Sequence, residues 1–260
     1  MKSKIEKRSP LKDKPLRYAG QSLDEQIEDK LLEAVYWAVV SFGIIFFAIT
    51  EWFRYFFPKP AQPIYITVFA VIIIAFGIYK VFAGIKEGKR LKMARDGERL
   101  VAEGLQELIK QGATVFNDIQ GEKFNVDHVV VSPHGIYLIE TKTYSKPINK
   151  ETIITFDSEN VYVDGIAIER NPIRQVKALT NWLQNLLMES TGRKFRIHPV
   201  ILFPGWYTEK TKSGAEIWIL NPKALPSFIS NEPVTLKEPD VYLAAFHLSR
   251  YVRTFTPKEG

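Results

Sequence analysis

The 260 residues contain no cysteine, which excludes disulfides and thiolate zinc sites and removes any argument for an oxidising compartment. Histidine occurs only at positions 128, 134, 198 and 247, without H-x-x-x-H spacing, so any metal should be a hard ion held by carboxylates. A formal net charge of +6 permits a polyanionic partner, nucleic acid or lipid headgroups, without choosing between them.

Residues 1–30 are polar and mixed in charge, with no apolar stretch close enough behind them for a cleavable signal, and they read as a cytosolic tail. Two blocks without charge follow, 17 positions at 34–50 and 19 at 61–79. A membrane-spanning helix needs about 20 mostly apolar residues. With their flanking aromatics (Trp37, Trp52, Phe53, Tyr55, Phe56 and Phe57) the blocks predict spans at about 34–53 and 62–82, in a transmembrane hairpin occupying 31–83. A pair of buried core helices is the competing explanation. Eight basic residues precede the pair, two (Arg54 and Lys59) lie between its arms and six follow, which places both ends in the cytosol. Residues 84–93 form a basic linker in this reading, and everything beyond is a cytosolic domain.

A helix is predicted over 96–111, with Val101, Leu105 and Leu108 as its apolar stripe and Glu98 at the stripe's N-terminal end. Glu98 would equally serve as a favourable acid in a first helical turn. A strand at 113–119 leads into a hairpin at 124–144, turning at Ser132-Pro133-His134-Gly135. Folding it about Pro133-His134 sets Val131 opposite Ile136, Val129 opposite Leu138, Asp127 opposite Glu140 and Asn125 opposite Lys142. All eight then share one face, apolar near the turn and ending in two carboxylates and an amine. Like charges directly opposite on a sheet are unfavourable. A divalent cation between them would remove that cost, and the pattern reads as a metal-dependent nuclease site. The same three charges would also serve as a cross-strand ion network at a solvent-facing hairpin end. His128 falls on the opposite face from Asp127 and reads as structural, and His134 in the turn has no assigned chemistry.

Short strands are expected at 152–156, 161–163 and 166–168, the last two joined by an Asp164-Gly165 turn. Asn171-Pro172 starts a helix running to about Glu189, with Val176, Leu179, Leu183 and Leu186 inward and Gln175 bordering that face. Strands at 195–203 and 216–220, a short helix at 222–229 and an amphipathic one at 239–255 complete the chain. Lys146, Lys150, Arg170 and Arg174 would grip phosphates without reading sequence, or form a solvated surface.

The order helix, three strands, small inserted sheet, helix, strand, strand, helix resembles the PD-(D/E)xK nuclease superfamily, and more narrowly the nuclease-related domain (NERD) family. The residues that carry the likeness are Gly97-Glu98 with Val101 and Leu105, Asn117-Asp118-Ile119, Val126-Asp127-His128-Val129-Val130-Val131, the stretch Gly135 to Lys142, and Asn171-Pro172 with Gln175. Val126 stands where the superfamily name has proline. The resemblance covers about 94–205. It implies a restriction-endonuclease-like α/β fold, a mixed central sheet flanked by helices, here behind the two-helix transmembrane hairpin, with 206–260 completing the cytosolic domain. It also implies Mg²⁺ or Mn²⁺ held by Asp127, Glu140 and the Thr141 backbone carbonyl, with Glu98 a candidate further ligand. Lys142 would position or help deprotonate the attacking water, and Gln175 matches the polar residue of the following helix.

The expectation is a membrane-anchored, metal-dependent nuclease acting on nucleic acid, DNA ahead of RNA. The alternative is a catalytically silent nucleic-acid- or protein-binding module on the same fold. The lipid bilayer is an expected partner, and a homodimer is left open.

Overall fold

The computed structural model describes residues 17–57, 63–144, 153–163, 165–212 and 214–256. The expectations for Lys146, Lys150, Thr152 and Asp164, and for most of the N-terminal tail, lie outside these residues. The chain forms two compact units, one of Ser22–Arg95 and one of Met1–Gln21 with Asp96–Gly260.

The first unit is built from two helices, α1 (Gln21–Phe56) and the N-terminal part of α2 (Pro63–Lys110). Both start or run further than the sequence suggests. Residues 21–30 belong to α1 rather than to a tail, and 84–93 are helical, so no irregular linker separates the apolar helix from the helix expected at 96–111. The reason is composition: 84–110 is rich in Lys, Arg, Glu, Leu and Ala and has no proline. Its four glycines cost about 1 kcal/mol each relative to alanine, which weakens a helix without ending it.

Within this unit the two helices run antiparallel. Trp37 packs edge-on against Phe76 at 5.2 Å, the Trp52 indole N–H donates to the Thr67 hydroxyl at 3.0 Å, and Lys80 pairs with Glu33 at 3.3 Å. Gly77 lies against Ser41 where a Cβ would collide with the hydroxyl, the close approach that small residues allow between apolar helices. The outer faces are bare hydrocarbon and aromatic surface, with Phe42 71%, Phe46 62%, Phe69 63% and Ile72 62% exposed. The most apolar windows are 0% and 11% buried, so these are not core helices of the described chain. They are long and apolar enough to cross a membrane.

The second unit is mixed α/β. Its strands are β1 (Thr114–Gln120), β2 (Asn125–Ser132), β3 (Gly135–Thr141), β4 (Ile153–Phe156), β5 (Val161–Val163), β6 (Ile166–Ala167), β7 (Ile197–Leu202), β8 (Tyr207–Thr208) and β9 (Trp218–Leu220). The main sheet has the order β1-β2-β3-β7-β9, antiparallel on the β1 side and parallel from β3 onward. A smaller sheet has the order β6-β5-β4-β8, in which the two-residue β8 is too short to have shown in the sequence pattern. Helices α3 (Pro172–Thr191), α4 (Leu225–Ser230) and α5 (Glu238–Thr254) complete the unit.

Parallel strands buried on both faces read as continuous apolar runs, as β3 and β7 do. On one side Val129, Val131, Ile136, Leu138 and Ile201 pack with Val176 and Leu183 of α3 and Leu248 of α5. On the other, Val130, Tyr137, Ile139 and Val200 meet Val101, Leu105 and Leu108 of α2. Alternation in the hairpin thus sorts its residues into two cores. The α3 stripe ends on fully buried Leu187 rather than Leu186, which is only partly covered.

The hairpin register agrees with expectation from Ser132–Gly135 to His128–Ile139, and there the pairing stops. Asp127–Glu140 and Asn125–Lys142 are not ladder partners. Instead the Thr141 N–H donates to Asp127 Oδ2 at 2.6 Å, while on the other edge of the strand the Lys142 N–H continues the β3–β7 pairing to the Leu202 carbonyl at 2.8 Å. A carboxylate is the stronger acceptor, and it displaces the main-chain carbonyl that would have continued the ladder.

Candidate active site

Where β2 and β3 part, five side chains from four elements converge. Asp127 comes from β2, Glu140 and Lys142 from the end of β3, Gln175 from the first turns of α3 and Glu98 from α2. The first turn of α3 is set by Asn171, whose side-chain oxygen caps the N–H groups of Ile173 and Arg174 at 2.9 and 3.3 Å. That cap fixes Gln175, whose amide donates to Glu140 Oε1 at 2.5 Å. Lys142 Nζ reaches the same oxygen at 2.6 Å. Glu98 is delivered by Gly97, where a Cβ would collide with the Thr143 methyl group and meet Pro204 at 3.7 Å. Only glycine lets α2 approach the chain this closely.

The cluster is electrostatically loaded. Asp127, Glu140 and Glu98 are 6%, 3% and 6% exposed. Burial, then the charges of Asp118 and Glu140, push the Glu98 carboxyl up to about 8. Burial, then Glu140 and Glu98, raise Asp127 well above the usual carboxylate range, and burial raises Glu140 too. Burial alone would lower the Lys142 amine, but the attraction of Glu140 and Asp127 outweighs it and keeps the amine charged.

Glu98 Oε2 and Glu140 Oε2 are buried without a hydrogen-bond partner. Buried polar atoms are rarely left so, and unsatisfied oxygens on two carboxylates, one of which raises the pKa of the other, suit a cation. All-oxygen donors suit a hard ion such as Mg²⁺ or Mn²⁺. Among the described residues no group of three His, Asp or Glu side chains is already arranged to hold one.

Other residues singled out in the sequence stand apart. His128 is fully buried with Nδ1 2.9 Å from Asn117 Oδ1, and burial holds its imidazole neutral, with the pKa down at about 3. His134 Nδ1 lies 2.6 Å from the Glu232 carbonyl and ties the turn to the chain ahead of α5. Arg170 and Arg174 are exposed. The sequence reading noted Asp118 only within the Asn117-Asp118-Ile119 likeness and gave it no role; it is buried, within electrostatic reach of Glu98 and paired with Arg17 at 2.7 Å. Two polar residues, Asn117-Asp118, interrupting an apolar strand were the available signal. Arg17 carried none beyond its charge.

Residues 94–204 match the family model of the nuclease-related domain, NERD. This chain carries a nuclease-related domain. The match begins four residues before Glu98 and ends just after β7, so it contains all five converging side chains. No curated protein and no solved structure matches the chain. The NERD segment and the two apolar N-terminal helices agree with the architecture expected from the residues.

Proposed function

We propose that this protein is a membrane-anchored, divalent-metal-dependent nuclease that hydrolyses phosphodiester bonds of nucleic acid, DNA ahead of RNA. The observation that carries the reading is the pair of buried carboxylates, Asp127 and Glu140, with an unpartnered oxygen on Glu140 and the Lys142 amine 2.6 Å from its other oxygen. Asp127, Glu140 and the Thr141 carbonyl would hold Mg²⁺ or Mn²⁺, with Glu98 as a further ligand and water completing the shell. Such an ion supplies Lewis-acid stabilisation of phosphodiester charge and a more acidic water. Lys142 places a fixed positive charge beside the carboxylates, where it can orient the attacking water and offset charge that develops on the phosphate oxygens. Gln175 holds Glu140 in orientation through its amide hydrogen bond.

The outward-facing apolar surface of α1 and α2 supports an anchor in the bilayer, and the excess of basic residues at both ends supports a cytosolic nuclease-related domain. The cytoplasmic membrane is the location this reading implies.

One observation favours a second reading, a catalytically silent module that binds nucleic acid or protein. Glu140 Oε1 is already shared by Lys142 and Gln175, an arrangement that would also stabilise a site without metal. Cleavage decides between them. The full chain in detergent is incubated with plasmid and oligonucleotides in Mg²⁺, in Mn²⁺ and in chelator, beside Asp127→Asn and Lys142→Ala. Metal-dependent cutting lost in both variants is expected. Cutting that persists in chelator and in both variants, or no cutting under any condition, sinks the catalytic reading.

A further inference from the structure

The residues just ahead of α1 are folded onto the nuclease-related unit. Arg17 Nε donates to Asp118 Oδ2 at 2.7 Å. With the Gln120 amide turned so that its oxygen faces the guanidinium, that oxygen accepts from Nη2 and Nη1 at 3.2 and 3.3 Å. One planar fork therefore grips two residues of β1, which a lysine cannot reproduce. Asp118 has no solvent exposure and a left-handed backbone with φ of 50°, a conformation that a non-glycine residue keeps only when its surroundings enforce it. Its other oxygen accepts from Asn125 Nδ2 at 3.0 Å.

Three residues beyond Arg17 the chain turns, with the Gln21 N–H donating to the Tyr18 carbonyl at 3.2 Å. Gly20, buried and with φ of 75°, adopts a backbone that favours glycine. Its N–H donates to the Glu98 carboxylate. The Arg99 guanidinium lies 5.9 Å from the Tyr18 ring, a second contact between this turn and α2.

We propose that Arg17 is a positioning residue of the candidate active site: by gripping Asp118 and Gln120 it fixes the turn at 18–21, so that the Gly20 N–H holds Glu98 beside Asp127 and Glu140. The inference rests on reading those carboxylates as the metal-dependent site. It places part of that site outside residues 94–204, in a segment that runs directly into the first apolar helix. A fragment starting after that helix would lack the grip on Glu98.

The test uses the full chain in detergent, with Arg17→Ala, Arg17→Lys and Gln120→Leu. The last removes one of the two side chains that the guanidinium grips and leaves the Arg17–Asp118 pair in place, so it stands in if Arg17→Ala fails to fold. Arg17→Ala is expected to weaken Mn²⁺ affinity and lower kcat by about 10–100-fold, as loss of a supporting hydrogen bond does, with KM for nucleic acid unchanged, and Gln120→Leu should act in the same direction by less. Arg17→Lys should recover part of the loss, since it keeps the charge and loses the fork. Folded variants with wild-type Mn²⁺ affinity and kcat overturn the proposal, and so does a gain in activity, which would make the segment an occluding strap. A wild-type chain that binds Mn²⁺ in an Arg17-dependent way yet cuts nothing supports the grip and sinks the nuclease reading. A wild-type chain that neither binds nor cuts overturns both.

Discussion

The Thr141 backbone N–H donates to the Asp127 carboxylate at 2.6 Å, at the point where β2 and β3 cease to pair. Beyond this point β3 continues on β7 alone, with Glu140 beside Ile201 and Thr141 beside Leu202, while Asp127 stays on β2. The two carboxylates thus sit on neighbouring strands that no longer pair with each other, yet remain close enough to repel.

Removing that repulsion should separate activity from stability. Asp127→Asn keeps an acceptor for Thr141 and deletes a buried like charge. Without metal its melting temperature should rise by about 2–4 °C, the shift that about 1 kcal/mol produces in a domain of this size. Cleavage should fall at least about 100-fold, since a direct ligand matters at least as much as its supports. Thermal unfolding in chelator and initial cleavage rates measure the two effects.

Divalent metal should stabilise the chain. Buried carboxylates that repel one another bind a cation in the folded state only, so Mn²⁺ at about 100 times its Kd should add about 2.7 kcal/mol. Thermal unfolding with and without Mn²⁺ measures this, and Asp127→Asn should abolish most of the shift.

Gln175 anchors Glu140 through a single short hydrogen bond. Gln175→Leu fills the same space without the donor. We expect kcat to fall about 10–100-fold with KM little changed, read by steady-state cleavage of an oligonucleotide.

Gly97 is where α2 meets the chain beyond β3. Gly97→Ala should cost about 1–3 kcal/mol by overpacking against the Thr143 methyl and should displace Glu98. Thr143→Ser deletes that methyl group, so the double variant should recover much of the stability and activity. A double-mutant cycle by chemical unfolding gives the coupling.

His198 packs against the Trp218 ring at 4.2 Å, and burial with nearby Arg196 lowers its imidazole pKa from 6.5 to about 4. Between these values the unfolded chain binds more protons than the folded one, so stability rises with pH and is lost as pH falls from 6.5 toward 4. Buried His128 acts with the same sign. Glu98, Asp127 and Glu140, with raised carboxyl pKa values, act with the opposite sign, so His198→Phe should make the slope of melting temperature against pH less positive than in the wild type across that window.

Much of this fold is legible locally. Val129, Val131, Ile136 and Leu138 fall into one core and Val130, Tyr137 and Ile139 into the other because strand side chains alternate, and a tight turn leaves one register open to them. Glu98 and Gln175 were found by helical spacing from apolar neighbours, a short-range relation. The long α2 was missed because a charged stretch after an apolar one looks like a boundary, although helix propensity continues through it.

From the order of residues alone follow the apolar helix pair, the strand and helix sequence of the nuclease-related domain, and the residue types that could carry phosphodiester chemistry. These depend on periodicity and composition, which are properties of neighbours along the chain. Tertiary structure alone decided where the β2–β3 ladder ends, which oxygens of Glu98 and Glu140 stay unpartnered, and that Arg17 meets Asp118 across 101 positions. Each of those depends on which acceptor wins a donor once the chain is folded, and that competition includes groups far apart in sequence. The carboxylate pair at the end of the hairpin was visible from the start; the structure adds that Asp127 is held by the Thr141 backbone and Glu140 by Lys142 and Gln175.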